Sequence, residues 1–167
     1  MSKKVPVKDA KDLWNEASTF ERTSIAIHNA AYKYMLEKGE DLAIGMTYAA
    51  YVNHAYSFEL YLKCLMVIEY GYFHWGHELL ELFKELPQKT QDEIVHNNDT
   101  LTTRKSITQA IPQGGNFIQS LTEASNAFVD YRYLYNGKEP NENYDLSFPM
   151  QFVKNVIIQK RPDFVNP

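Results

Sequence analysis

Apolar residues recur with helical spacing along two long stretches of the chain. In the first, Leu13, Ala17, Phe20, Ser24, Ile27, Ala31, Tyr34 and Met35 fall at steps that keep them on one helix face. Asp9 or Asp12 offers a capping side chain before them and Gly39 a stop after them, which predicts a helix over 10–38. Asp41 opens a second helix running to Tyr70, with Gly71 as its C′ residue. Apolar character extends almost all round this second helix, the pattern of a central helix in a bundle. An aromatic loop, Tyr72–Gly76, leads into a short amphipathic helix over 77–86 (HELLELFKEL). Pro87 ends that helix and suits the N1 position of the next, over 88–96. The polar segment 97–115, closing in PQGG, reads as the least ordered part. A third long helix is predicted over 117–135, an exposed loop over 136–143 and a last short helix over 148–159. No repeat, low-complexity tract or linker interrupts the pattern. The fold class expected is all-α: a single-domain bundle of about five to six helices spanning 1–167.

Composition narrows the options. A chain of 167 residues, 44% apolar, holds about one domain and buries a substantial core without staples. Seven glycines and seven prolines are too few for a turn-rich β-sandwich. The net charge of −4 removes any global electrostatic drive towards nucleic acid, so RNA is a partner that the charge does not indicate. Cys64, the lone cysteine, stands in an apolar run and reads as a buried, inert thiol. The opening residues MSKKVPVKDAKD lack the apolar core of a signal peptide, and no apolar run is long enough to span a bilayer. A cytoplasmic location without membrane contact is therefore expected.

The chemistry concentrates in two tyrosine-rich stretches, 48–70 and 117–135, which carry charges inside apolar surroundings. Such charges are costly unless paired or put to use. Glu59 and Lys63 are one helical turn apart, in the favourable orientation, among Phe58, Leu60, Leu62, Leu65 and Met66. Arg132, near the end of the second stretch, is the expected partner for Glu59 across two packed helices. A buried structural network is the leading reading. The other is a small anionic-ligand or phosphate site with Lys63 and Arg132 as its cations. On a helical wheel His54 falls about 140° from Glu59, whereas Asn53 and Tyr56 share its face. The expected binding set is therefore Asn53, Glu59, Lys63 and Arg132. His74 and His77 lie three residues apart with no cysteine nearby, and His77-Glu78-x-x-Glu81 lacks the second histidine of a zinc-protease helix. No metal and no cofactor are expected, and His77 reads as a residue near a helix N-terminus. Tyr70, Tyr72, Phe73 and Trp75 together with Tyr131, Tyr133 and Tyr135 suggest an aromatic contact surface.

Three motifs carry a family resemblance: Ser57-x-Glu59-Leu60-x-Leu62-Lys63; Gly76-His77-x-Leu79-x-x-Leu82-Phe83 with Leu86-Pro87; and Ala127-Phe128-Val129-Asp130-Tyr131-Arg132-Tyr133. In order and spacing they resemble bacterial HEPN-domain proteins, over about residues 47–135. The resemblance implies a compact helical bundle that forms homodimers, and roles in bacterial toxin–antitoxin or phage-defence systems with a protein partner such as an antitoxin. Active members are metal-independent ribonucleases with an Arg-x(4–6)-His motif near the later long helix. There arginine stabilises phosphorane-like charge, and histidine moves protons as the ribose 2′-OH attacks phosphate. Here the positions after Arg132, Asn136-Gly137-Lys138-Glu139, hold no histidine. The sole match to that spacing is Arg22-TSIAI-His28, on the first helix. The catalytic residues stay unassigned, with Arg132, Arg22 and His28 as candidates. The function expected is a non-catalytic or weakly catalytic HEPN-like interaction or binding module; the alternative is a metal-independent endoribonuclease, a toxin or abortive-infection effector.

Overall fold

The computed structural model describes residues 4–6, 9–38, 40–105, 117–125 and 146–165. Within them the chain forms strand β1 (Lys4–Pro6) and two long helices, α1 (Ala10–Lys38) and α2 (Glu40–Tyr70). Strand β2 (Tyr72–His74), α3 (Leu79–Lys84), α4 (Gln88–Lys105), α5 (Phe117–Glu123) and α6 (Ser147–Lys160) follow, before a closing 3-10 turn at Pro162–Phe164. The architecture is an all-α bundle with one two-stranded antiparallel ribbon on its flank.

With 29 and 31 residues, α1 and α2 are about 43 and 46 Å long at ~1.5 Å per residue. They run antiparallel: the Cys64 thiol meets the Ala10 carbonyl at 3.3 Å, and the Ser24 hydroxyl donates to the Ala50 carbonyl at 2.8 Å. The core sits at one end of this hairpin. Every residue from Ser57 to Val67 is buried, a run that only a helix covered on all sides can show. The covering comes from the first turns of α1 (Leu13, Trp14, Ala17), from α3 and α5 (Leu79, Leu82, Phe83, Phe117, Leu121) and from α6 (Phe152, Val153, Val156, Ile157). Each leucine, phenylalanine, valine or isoleucine among them contributes roughly 1.5–3 kcal/mol by leaving water. The Phe117 ring lies 5.0 Å from that of Phe83 and 6.5 Å from that of Phe152, joining α5 to α3 and α6. Polar ties cross the same layers. The Tyr61 hydroxyl donates to Glu21 at 2.7 Å, and Lys154 donates to the same carboxylate at 2.7 and 2.8 Å. Lys160 bridges Glu69 and Glu93 at 2.9 and 3.0 Å, fastening α6 to α2 and α4.

Three local expectations change. The aromatic segment after α2 is a strand, not a loop. Gly71 adopts φ +75°, a left-handed reversal that suits glycine, and β2 then pairs with β1 in the register Lys4–His74, Val5–Phe73 and Pro6–Tyr72. Helix α4 continues through the polar residues after His96 as far as Lys105. Its first turns are anchored by buried Thr90 and Ile94, and no glycine or proline interrupts it before Pro112, so propagation at one bond per residue carries on. The helix beginning at Phe117 ends at Glu123 and turns at Ala124–Ser125; the rest of the predicted span, 126–135, lies outside the described residues. Ser125 is diverted to capping: its carbonyl accepts the amide of Leu79 at 3.2 Å and its hydroxyl that of Leu80 at 3.2 Å.

Cys64 is fully buried, and burial, ahead of nearby charges, pushes its thiol from 9.0 up to about 12. Because the folded thiol keeps its proton beyond the unfolded value, this contribution to stability is fully present below pH 9 and is lost as pH rises towards 12. Native protein at pH 8 is expected to stay unlabelled by a thiol-reactive dye for as long as it stays folded, and to release one equivalent on unfolding in urea. Fast labelling of the native chain would contradict the buried placement. Among the described residues, no helix is long and apolar enough to cross a membrane.

Candidate functional site

About two-thirds of the way along α2, Glu59 and Lys63 stand on one face, a turn apart, and both are buried. The Lys63 ammonium donates to Glu59 Oε1 at 2.6 Å and lies 5.1 Å from the centre of the Phe73 ring, a cation–π contact supplied by β2. The chain after β2 passes Trp75 and Gly76 and returns His77 to α2. His77 Nδ1 lies 3.1 Å from both Oε1 and Oε2 of Glu59. An ionised carboxylate only accepts, so Nδ1 donates its hydrogen to Glu59. Glu59 is 1% exposed and the His77 side chain 44%. The arrangement is layered: a buried ion pair beneath, a half-exposed imidazole above. Burial first, and then the carboxylates of Glu16 and Glu59, raise the phenol of Tyr56.

Above His77 opens a hollow of about 230 Å³, lined by His74, Trp75, Gly76 and the carboxylate-bearing Glu78, Glu81 and Glu85. Its walls hold themselves in place. His74 Nδ1 is 3.5 Å from Glu85, Lys84 donates to Glu81 at 2.8 Å, and the Trp75 and His77 rings meet edge-on at 6.1 Å. Among the described residues no group of three or more metal-binding side chains converges. The chemistry available is proton exchange at His77, oriented and electrostatically supported by Glu59.

The residues singled out from sequence fall in different places. Glu59 and Lys63 sit together, and each is the other's closest charged partner. Asn53 lies six residues earlier on α2, its amide donating to the Ala49 carbonyl at 2.7 Å. Arg132 lies outside the described residues; among those described, Lys63 and His77 are the groups that meet Glu59. Arg22 and His28 are both exposed on α1. Six residues apart on one helix, they point about 120° away from each other. His28 borders a second hollow, at the far end of the hairpin. His77 is the site residue that spacing alone underrated. It precedes α3 by two residues, and its link to Glu59 depends on the reversal at Gly71, eighteen positions along the chain from Glu59 to His77.

No family model, curated protein or solved structure matches this chain.

Proposed function

We propose that the chain is a HEPN-like interaction module of a bacterial toxin–antitoxin or phage-defence system, non-catalytic or weakly catalytic. It would work in the cytoplasm, as a homodimer or with a protein partner such as an antitoxin. The observation that carries this reading is the closure of the Glu59–Lys63 pair upon itself at 2.6 Å, with both groups out of water. Lys63 is thereby occupied and sealed beneath Phe73, and is not offered to an anionic ligand. The carboxylates of Glu78, Glu81 and Glu85 around the hollow repel a phosphate backbone, which weighs against RNA as the occupant.

One feature favours the ribonuclease alternative: His77, backed by Glu59, is the kind of proton carrier such an enzyme needs in place of the histidine absent after Arg132. Incubating pure protein with total RNA, with and without EDTA, separates the two. Intact RNA in both arms is the expected result. EDTA-resistant cleavage that disappears in both His77→Ala and Arg132→Ala would instead establish the endoribonuclease.

A further inference from the structure

The hairpin of α1 and α2 is built in opposite senses at its two ends. At the core end large side chains, among them Trp14, Phe58 and Tyr61, fill the interior. Beyond Ser24 and Ala50 the seam between the helices is instead closed by small residues, Ser24, Ala31, Ala43 and Ala50, all buried. Of the large apolar residues of that end, Ile27, Tyr34, Met46 and Tyr48 are half-buried, whereas Ile25, Tyr32, Met35, Leu36 and Ile44 are 43–68% exposed. Small residues let the two backbones approach closely and leave these five standing out from the seam.

These exposed residues form a face rather than a scatter. At ~100° per residue, Ile25, Tyr32, Met35 and Leu36 fall within about 100° of one another on α1. Tyr32, Met35 and Ile44 border a groove of about 340 Å³ floored by Ala31, Ala43 and Thr47. Among the described residues, no lysine, arginine, aspartate or glutamate lines it. A charge-free patch rich in aromatic and methionine side chains is the composition of an interface centre. Flanking charges of both signs, such as Lys33 beside Glu37 at 4.0 Å, keep two like surfaces from repelling each other.

We propose that this face docks a second copy of the chain, the two hairpin ends packing groove to groove about a two-fold axis as an intermolecular four-helix bundle. A two-fold contact requires a patch that complements itself. This one carries both parts: Tyr32 and Leu36 as protrusions and the alanine-floored groove as the recess. The area is sufficient. At about 150–250 Å² for a large free side chain, the five exposed fractions amount to about 500 Å² per copy. The pair then buries about 1,000 Å², the threshold of a specific interface. The inference rests on the self-association part of the proposed function and locates it on the molecule.

Light scattering of the full chain, of the double variant Tyr32→Glu/Leu36→Glu and of Val165→Glu tests it. The wild type and Val165→Glu, which alters an exposed apolar residue elsewhere, are expected at twice the mass of one chain. The double variant is expected at the mass of one, with a dissociation constant raised at least about a hundredfold by the unpaired charges at the contact. Unchanged helical circular dichroism would show that the variant is folded. Should it fail to fold, the single variant Leu36→Lys carries the test: a folded variant at the mass of one chain supports the contact, and one that stays at twice that mass overturns it. A double variant that remains dimeric overturns this surface while self-association stands. A wild type that is monomeric at every concentration overturns both.

Discussion

Glu59→Gln is expected to lower the free energy of unfolding by about 3–5 kcal/mol, the cost of breaking a buried ion pair by removing one partner. The substitution is nearly isosteric, so little of this loss comes from packing. It comes from Lys63, whose ammonium stays buried against Phe73 with its 2.6 Å carboxylate contact gone. Lys63→Met leaves the mirror problem, a carboxylate out of water that has lost its ammonium partner, and is expected to cost a similar amount. The double variant Glu59→Leu/Lys63→Met removes both charges and fills their space with apolar groups. It is expected to be more stable than either single variant. Urea unfolding of the four proteins provides the thermodynamic cycle. Single losses under about 1 kcal/mol, or strictly additive ones, would mean that the pair is solvated and not sealed. Against a whole stability of about 5–15 kcal/mol, the predicted loss is a large fraction, and at the low end of that range it brings the single variants close to unfolding.

Phe117→Ala is expected to cost about 3–5 kcal/mol, the range for emptying an aromatic site in a packed core. Phe117 is 1% exposed, and its ring is held between Phe83 and Phe152. It is also the first residue of α5, a helix of seven residues that has little stability apart from its packing. Loosening α5 releases Ser125 from the amides of Leu79 and Leu80 at the start of α3. Hydrogen exchange is therefore expected to speed up at those two amides more than at the centre of α2. Uniform acceleration throughout the molecule would show instead that α5 and α3 unfold only with the whole.

What could be read from the residues was what local periodicity and local chemistry determine. The long helices follow from apolar spacing and from Gly39 and Gly71. The burial of Glu59 and Lys63 follows from their neighbours, and their partnership from one helical turn. What could not be read depends on segments far apart in sequence. The pairing of Lys4–Pro6 with Tyr72–His74 joins two short stretches separated by the whole long hairpin, with no alternation of its own to announce either strand. His77 reaches Glu59 only because that ribbon directs the chain back along α2. The length of α4 shows a different limit: polar composition argued for irregular chain, yet composition does not end a helix whose first turns are docked.

The contacts that α6 makes lie far apart along the chain: Ser57 with Met150 is 93 positions apart and Glu21 with Lys154 is 133. During synthesis, α1 and α2 emerge and meet early, because their contacts are close in sequence. The apolar belt of α2 must then wait, uncovered on one side, until the last helix has left the ribosome. The period of greatest aggregation risk for this protein is thus set by translation time, and α6 is the element whose arrival ends it.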